Sequence, residues 1–342
     1  MTDTIHHLNK QLINRFRTAL YDCNEATLKS QLNEVLAPDC AIHLAFPFED
    51  LDGPDGLYEQ AYRPLLAAVP DLERRDYILM AGGAEGDNWV GCAGHYMGLY
   101  EQPWLDIPPT KHPVAMRYHE FFRVHDGQVV EMQALWDIPQ VMMQANAWPM
   151  TPSLGVEWLV PGPATQDGIV TLPYDKAKAD VSVRLVRDML TAMGKHPQQG
   201  GPEIMELERF WHPKMNWYGP AGIGSVRRIS GFRNWHQIPF LKAMPDRGGS
   251  GSGYSEGVMF ADGDYVATTG WPNMQMTLSG DGWLGIAPAN QPLTMRSLDF
   301  WRCENGKIRE NWVLVDLLHV YDQLGVDVFS RMRERTVARR PY

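Results

Sequence analysis

The stretch MRYHEFFRVHDGQVVEMQALWD, residues 116–137, recurs as MRSLDFWRCENGKIRENWVLVD at residues 295–316. The second copy begins 179 positions after the first (295 against 116), and Met, Arg, Phe or Trp, Arg, Gly, Glu and Asp recur in register. Self-similarity at a fixed spacing is typical of a repeated structural unit. The sequence therefore predicts two copies of one domain.

The repeat extends upstream of this stretch. GLYEQAYRPLLAAVPD at 56–71 matches GFRNWHQIPFLKAMPD at 231–246, now 175 positions apart, which requires only one short insertion in a loop. Between the copies, residues 148–168 are rich in Pro and Gly, as linkers are. We predict a first domain at 1–147, a linker at 148–174 and a second domain at 175–342.

Each copy places helices before strands. Apolar residues at helical spacing predict helices at Leu8–Tyr21 and Ala177–Met193, in the stretches before turns at Pro38 and Pro213, and at 56–69 and 231–244. Each copy then closes with two strands joined by Asp126-Gly127 or Asn305-Gly306, dipeptides that favour a tight hairpin turn. This order predicts an α+β fold, with a helical layer against one curved antiparallel sheet.

Composition excludes several classes of function. The chain has 342 residues and a net charge of −10, without the clustered basic residues that nucleic acid or a membrane surface would require. It has neither an apolar run long enough for a transmembrane helix nor a signal peptide. Four scattered cysteines form no CxxC pair, so neither a disulfide framework nor a zinc site is expected. We expect a cytoplasmic protein with reduced thiols and no metal.

The hairpin turn sets the expected register of the last two strands. A two-residue turn pairs Glu304 with Lys307, and regular pairing beyond it places Trp301 opposite Glu310. Alternation then predicts one face carrying Asp299, Trp301, Glu310, Trp312 and Asp316, and in the first copy Glu120, Phe122, Glu131, Gln133 and Asp137. The nearby arginines would point to the opposite face unless a bulge intervenes: Arg117, Arg123, Arg296 and Arg302.

Carboxylates crowded beside aromatic rings have a raised pKa, because burial and like charges both disfavour ionisation. A raised pKa suits a general acid/base near neutral pH. Alternatively, these acids lie on a solvated sheet face and pair with Lys or Arg. From the residues alone, both interpretations stay open.

These motifs together resemble the SnoaL-like polyketide cyclases of the nuclear-transport-factor-2-like superfamily. The first copy supplies Gly94-His95, Gly98, Ile107-Pro108-Pro109-Thr110, Arg123, Gly127 and Glu131. The second supplies Gly285-Ile286-Ala287-Pro288, Arg302, Gly306-Lys307-Ile308, Glu310 and Trp312. The resemblance implies a cone-shaped domain in each copy, in which a bent sheet wraps around helices and encloses an apolar pocket.

The resemblance also implies chemistry without metal or organic cofactor, such as ring closure by intramolecular aldol condensation. It assigns the acid/base role to Asp316 and Asp137 and a supporting role to His95. Members often carry the acid directly after the Trp, where this chain has Val313 and Ala134, so Asp299 or Glu310 could hold the role instead. The substrate-binding candidates are Trp312, Trp301, Glu131, Glu120 and His43.

The copies differ where function is expected. His95 is replaced by Trp271 in the second copy, and Trp312 is replaced by Gln133 in the first. Either one copy is active and the other structural, or the two hold different ligands. Members of the family commonly form dimers. The resemblance therefore implies that the two copies pack as an intramolecular pseudodimer, and a homodimer is the alternative.

The leading hypothesis is a cofactor-free enzyme acting on a small hydrophobic carbonyl compound. Isomerisation, dehydration and epoxide hydrolysis are close alternatives, and a non-catalytic ligand-binding or scaffold protein is the alternative from another class. The pattern Gly253-Tyr254-Ser255-Glu256-Gly257 fits G-x-S-x-G, but a strand–turn–strand pattern follows it instead of the helix that a nucleophile elbow requires.

Overall fold

The structure is a computed structural model that describes residues 2–84, 86–247, 257–280 and 282–338. Within these ranges the chain divides into two compact units. Unit 1 comprises Met1–Pro149, Pro161–Tyr174 and Val326–Tyr342, and unit 2 comprises Met150–Val160 and Asp175–Gly325. Of the segment predicted as a linker, residues 150–160 belong to unit 2 and residues 161–174 to unit 1. Residues 326–338, predicted in the second domain, belong to unit 1. The serine motif at 253–256 lies outside the described residues.

Unit 1 is built on a six-stranded sheet of order β2-β1-β6-β5-β4-β3. Its strands are β1 (Leu36–Leu44), β2 (Glu49–Asp52), β3 (Glu73–Ala84), β4 (Asp87–Leu99), β5 (Pro113–His125) and β6 (Gln128–Trp136). Its helices are α1 (Thr2–Tyr21), α2 (Glu25–Val35), α3 (Gly53–Leu57), a π-helical turn (Tyr58–Tyr62), α4 (Arg63–Ala68) and α5 (Ile138–Gln144).

Unit 2 repeats this plan with the order β8-β7-β14-β13-β10-β9 and a separate β11-β12 pair. Its strands are β7 (Trp211–Tyr218), β8 (Val226–Arg227), β9 (Met259–Asp262), β10 (Tyr265–Thr268), β11 (Met274–Leu278), β12 (Gln291–Met295), β13 (Ser297–Glu304) and β14 (Lys307–Val315). Its helices are α6 (Lys176–Met193), a 3₁₀ turn (Pro202–Met205), α7 (Leu207–Phe210), α8 (Arg228–Phe232), a π-helical turn (Arg233–Gln237), α9 (Ile238–Ala243), a 3₁₀ turn (Trp283–Gly285) and α10 (Leu317–Gln323).

The predicted α+β class is confirmed, and the first and third predicted helices of each copy are present. The second predicted helix is α2 in the first copy, and in the second copy that stretch holds a 3₁₀ turn and the short α7. Pro38 and Pro213, however, lie inside strands β1 and β7 instead of at turns. The pairing of β1 with β6 is interrupted between Leu36 and Ala41, and β7 is interrupted in the same way before Asn216. Proline lacks a backbone N–H, so it is tolerated where the ladder is already broken.

The predicted hairpins are present, with positive φ at both turn residues: 46° and 77° at Asp126-Gly127, and 52° and 71° at Asn305-Gly306. Glu304 pairs with Lys307 as predicted. Beyond that pair the register shifts by one residue. Arg302 pairs with Glu310 while Cys303 pairs with Ile308, so Arg309 is an extra, bulged residue. Val130 is bulged at the same position of unit 1.

The bulge overturns the predicted face. Trp312 lies opposite Phe300, and Asp299 lies opposite Val313, so Glu310 and Trp312 project from the side of the sheet away from Asp299. In unit 1, the bulge at Val130 likewise places Glu131 and Gln133 on the face of the sheet away from Glu120. Regular alternation failed because one extra residue moves every later side chain of the strand to the other face.

The last described helix, α11 (Val328–Ala338), belongs to unit 1 although it follows the strands of unit 2 in sequence. Val328 and Met332 are buried, and the Phe329 ring lies 6.3 Å from the Phe46 ring. Arg333 forms an ion pair of 3.0 Å with Asp106. This helix completes the packing of unit 1 from the far end of the chain.

Deleting Arg309 tests whether the bulge sets the faces of β14. Removal of one residue would exchange the buried partners of residues 310–315, so we expect loss of the cooperative unfolding transition of unit 2 in scanning calorimetry. Arg309→Ala keeps the residue count and is the matched control, with an expected fall in Tm of about 2–4 °C. Equal Tm values for the two variants would contradict this account.

Candidate functional site

In each unit, one sheet face packs against that unit's own first and third helical segments, and we call it the inner face. In unit 1, Phe16 of α1 contacts Phe122 of β5, with ring centroids 6.0 Å apart. In unit 2, Phe232 of α8 and His236 of the π-helical turn pack on Trp217 of β7. The other side of each sheet is the outer face. The inner face is where a cone-shaped domain would hold a ligand.

The inner face of unit 1 carries a buried polar network centred on Glu120. Arg74 donates to Glu120 Oε2 at 2.6 Å, Tyr96 donates to Oε1 at 2.8 Å, and Trp136 Nε1 donates to the same oxygen at 3.1 Å. Tyr62 and Tyr96 share a further hydrogen bond of 2.9 Å. Burial raises the pKa of Tyr62 and of Tyr96 well above its ordinary value, so both phenols stay protonated.

The network continues from Arg74 to Asp76. Arg74 and Arg17 both donate to the Asp76 carboxylate, and the Tyr118 hydroxyl donates to it at 2.8 Å. Burial alone would raise the pKa of Asp76, but the two guanidinium groups outweigh burial and hold it below its usual value. Tyr118 fits because its cross-strand neighbour is Gly94, where a Cβ would lie only 2.3 Å from the phenol oxygen.

The polar network around Glu120 and Arg74 in unit 1 is therefore saturated. Glu120 and Arg74 are fully buried, and none of the buried polar atoms of this network lacks a partner. A buried ion pair with all its hydrogen bonds made is stable as built, but a ligand could reach the carboxylate only by breaking those bonds. The carboxylate of Glu120 is thus held in a structural role.

Asp299 is the residue of unit 2 that is equivalent to Glu120. Asp299 pairs with Val313, which follows Trp312, and Glu120 pairs with Ala134, which follows Gln133. Ser297 Oγ donates to Asp299 Oδ1 at 2.7 Å. Unlike Glu120, Asp299 is partly exposed although it lies on the inner face. Val313, its partner on β14, stands where members of the resembled family often carry the acid. The acid on the inner face of unit 2, Asp299, is instead on β13, the strand next to Val313.

Two hydrogen-bonding groups on the inner face lie beside Asp299. Thr268 pairs with Asp299 across β10 and β13, and Trp301 is the next inner-face residue along β13. Both side chains are buried, and neither Thr268 Oγ1 nor Trp301 Nε1 has a hydrogen-bond partner. Buried polar atoms are normally satisfied, so unpartnered ones call for a ligand or water. The surroundings of Asp299 thus contain unpartnered polar atoms, whereas the polar network around Glu120 is complete.

The outer face of unit 1 holds the other predicted residues of the first copy. His95 lies opposite Arg117, and burial together with the Arg117 charge lowers its pKa to about 3, so the imidazole is neutral. Glu131 accepts from Arg123 at 2.8 Å, and His43 Nδ1 lies 2.6 Å from Asp50. These three predicted residues therefore do not meet Glu120.

Glu310 and Trp312 occupy the same outer positions in unit 2. Glu310 accepts from Arg302 at 2.6 Å and from the Tyr218 hydroxyl at 3.1 Å, and the Tyr218 ring lies 5.3 Å from the Trp312 ring. Only Asp299 and Trp301, among the predicted residues of the second copy, share the inner face.

Asp137 and Asp316 end the last strands and cap the helices that follow. Asp316 Oδ1 accepts from the His319 backbone N–H at 3.2 Å, and its Oδ2 lies 3.4 Å from Arg296. Asp137 is the N-cap of α5 and lies 3.8 Å from Arg117. A buried carboxylate at a helix start beside a guanidinium is stabilised in its charged form. Both positions explain why these aspartates recur in the repeat.

Thr268, His236 and Gln237 were not among the predicted site residues. Aligning 56–71 with 231–246 gives a usable signal, because it places His236 where the first copy has Ala61. Within the described ranges, no three His, Cys, Asp or Glu side chains converge as a metal site would require. None of the helices in those ranges is long and apolar enough to cross a bilayer.

Comparison with known proteins adds the family. The family model described as SnoaL-like polyketide cyclase matches residues 12–145 and again residues 202–324. A SnoaL-like protein from Jannaschia sp. CCS1 is similar at 22% identity over 41% of this chain and 92% of its own, with a TM-score of 0.35. IdmH from Streptomyces antibioticus is similar at 22% identity over 40% and 98%, with a TM-score of 0.34. Comparison with curated proteins gave no match.

The contrast between the two interiors predicts different responses to removal of one charge. Glu120→Gln removes one of the two buried carboxylates that balance Arg74 and Arg17, so we expect unit 1 to lose about 3 kcal/mol, or roughly 10 °C in Tm. Asp299→Asn, at the matched position of unit 2, should change Tm by about 2 °C or less, because the residue is partly exposed. Calorimetry at pH 7 measures both, and similar losses would show that the two interiors are equivalent.

Proposed function

Because the chain belongs to the SnoaL-like polyketide cyclase family, with a nuclear-transport-factor-2-like domain in each unit, we propose that unit 2 is a cofactor-free acid/base catalyst for a hydrophobic carbonyl compound. Intramolecular aldol cyclisation is the reaction we assign. One observation carries the proposal: the inner-face carboxylate of Asp299 is partly exposed and lies beside two unpartnered hydrogen-bonding groups. Unit 1 then serves as the structural partner, since its equivalent acid is saturated.

Asp299 is the proposed acid/base. Its carboxylate takes a proton from the carbon next to a substrate carbonyl, and the electron pair of that C–H bond moves to form the enolate. The hydrogen bond from Ser297 orients the carboxylate by fixing one of its oxygens. A base held in one orientation inside an apolar surround loses less energy to reorganisation during proton transfer.

Thr268 and Trp301 are the proposed stabilisers of the enolate oxygen. Their hydroxyl and indole N–H are donors that lie next to Asp299 on the inner face and are not engaged elsewhere. Donors fixed in advance in a buried site lower the energy of a developing oxyanion most strongly. The enolate carbon then attacks the second carbonyl of the same molecule, and the new alkoxide receives the proton back from Asp299.

Asp316, Asp137 and Glu310 take structural roles outside the catalytic machinery in this proposal. Each is engaged by an arginine and, for Asp316, by a helix N-terminus. They hold the end of the last strand and the outer face in place. The observations that favour a scaffold function apply to unit 1, where the inner carboxylate is neutralised by Arg74.

Proton abstraction can be tested without knowing the natural substrate. The wild-type protein should catalyse exchange of the acetyl protons of 2-acetylnaphthalene for deuterium in D₂O, followed by NMR. Asp299→Asn should lower that rate at least about 100-fold, as removal of a general base does. The rate should rise with pH through the pKa of Asp299, whose raised value stays a prediction.

Glu120→Gln and Asp316→Asn are the controls, assayed below their melting temperatures, and both should keep the exchange rate within about threefold. Loss of exchange in Asp316→Asn with retention in Asp299→Asn would move the acid/base to Asp316. A wild-type protein that shows no exchange above buffer would contradict the enzyme and favour the ligand-binding alternative.

A further inference from the structure

Both units contain a π-helical turn at the same place in the third helical segment. The turns span Tyr58–Tyr62 and Arg233–Gln237, between α3 and α4 and between α8 and α9. A π-helical turn inserts one residue into a helix, which is costly and is often found at functional sites. The repeat pairs Ala61 with His236 and Tyr62 with Gln237. The two units thus share the π-helical turn and differ in the side chains that it carries.

In unit 1 the turn contributes only to the saturated interior. Tyr62 is fully buried, and its hydroxyl bonds with that of Tyr96. Its ring also packs on Trp136, with centroids 5.3 Å apart. Ala61 is fully buried and has no polar side-chain atom. This turn offers nothing to a ligand.

In unit 2 the same turn presents unpartnered polar atoms. His236 stacks on Trp217, with ring centroids 4.0 Å apart and planes 19° apart, and Phe232 and Phe240 flank it at 5.5 and 5.8 Å. Its Nδ1 is buried and has no hydrogen-bond partner. Burial, with the nearby charge of Arg247, lowers the pKa of His236 to about 3, so the imidazole is neutral and one ring nitrogen is an acceptor.

Gln237 adds a second group. It is 1% exposed, and its Nε2 donates to Met205 Sδ at 3.1 Å. Its Oε1 is buried and unpartnered. An amide oxygen accepts hydrogen bonds only. Gln237 Oε1 is therefore an acceptor, and His236 Nδ1 is a second one in the tautomer that carries its proton on Nε2. A group that satisfies either acceptor must donate a hydrogen bond.

The sheet register relates this turn to Asp299. Trp301, Asn311 and Trp217 are directly paired neighbours across β13, β14 and β7. His236 stacks on the last of them, and Asp299 is the next inner-face residue beyond the first. With strands about 4.8 Å apart, the turn lies on the order of 10 Å from the carboxylate. A flat molecule of two or three fused rings spans that distance.

We propose that the π-helical turn of unit 2 is the specificity element for the substrate, and that it recognises a hydroxyl group at the end of the molecule remote from the reacting carbonyl. The inference rests on the proposed function and adds to it one requirement on the substrate: a hydrogen-bond donor about 10 Å from the reacting carbonyl. Trp217 stacks on the imidazole and fixes its orientation. His236 Nδ1 accepts the single proton of that hydroxyl, and Gln237 Oε1 on the next residue is an acceptor for a further donor. Neither residue touches the reacting atoms, so both are specificity residues.

Three matched probes test this recognition: 6-acetyl-2-naphthol, its 6-methoxy derivative, and 2-acetylnaphthalene. The first donates a hydrogen bond, the second only accepts one, and the third has neither group. Dissociation constants follow from titration of the full-length protein by calorimetry. We expect the wild-type protein to bind the naphthol about tenfold more tightly than either other probe, as one hydrogen bond to an otherwise unsatisfied acceptor provides.

Two variants remove the acceptor in different ways. His236→Ala introduces the residue that unit 1 carries at the same position, and His236→Phe keeps the stack on Trp217 but has no ring nitrogen. In both, the preference for the naphthol should fall to about twofold or less, while affinity for 2-acetylnaphthalene changes little in His236→Phe. Asp299→Asn should keep the tenfold preference.

A preference retained in both His236 variants would overturn the proposal, as would a wild-type protein that binds the three probes equally or binds none of them. Failure of the proposed function has a separate signature. If Asp299→Asn keeps the deuterium exchange rate while the His236 variants lose the hydroxyl preference, the acid/base assignment is wrong and the recognition element stands.

Discussion

One extra residue in the last long strand of each unit decides which side chains enter the interior. Because of the bulge at Arg309, Glu310 and Trp312 project from the outer face, and Arg302 pairs with Glu310 across the sheet. Because Val130 is bulged in the same way, Glu131 pairs with Arg123, again on the outer face. Without the bulges, the inner faces would each gain a second carboxylate next to the first. The bulges therefore divide the acids of each unit between the two faces of its sheet.

Once the faces are fixed, the two units fill the same interior in opposite ways. Unit 1 surrounds Glu120 with Arg74, Tyr96 and Trp136, so both carboxylate oxygens accept hydrogen bonds. A ligand could reach this carboxylate only by breaking those bonds. In unit 2, Ser297 donates to Asp299, while Thr268 Oγ1 and Trp301 Nε1 have no hydrogen-bond partner. The two copies therefore keep the same sheet and differ in the polar side chains on its inner face.

Much of the fold follows from the sequence, because it depends on strong and local signals. The 179-residue repeat gives two copies, and Asp126-Gly127 and Asn305-Gly306 give the hairpins because few residues tolerate positive φ. The faces did not follow, because the bulged residues, Val130 and Arg309, carry no signature such as glycine. The π-helical turns and the buried Arg74 network depend on contacts between distant segments, which a pattern of residues does not encode. Asp299 was among the candidates, but only the observed strand register showed that it lies on the inner face while Glu310 lies on the outer one.

The position of α11 has a consequence for how the molecule is made. Unit 1 is completed by residues that follow all of unit 2 in the chain. On the ribosome, where synthesis proceeds at about 5–20 residues per second, the first unit waits on the order of ten to thirty seconds for its final helix. Throughout that interval, α11 is not yet available to pack on the surface around Phe46 and Asp106. The nascent chain is then most exposed to association with other chains, and a chaperone would have its greatest effect there.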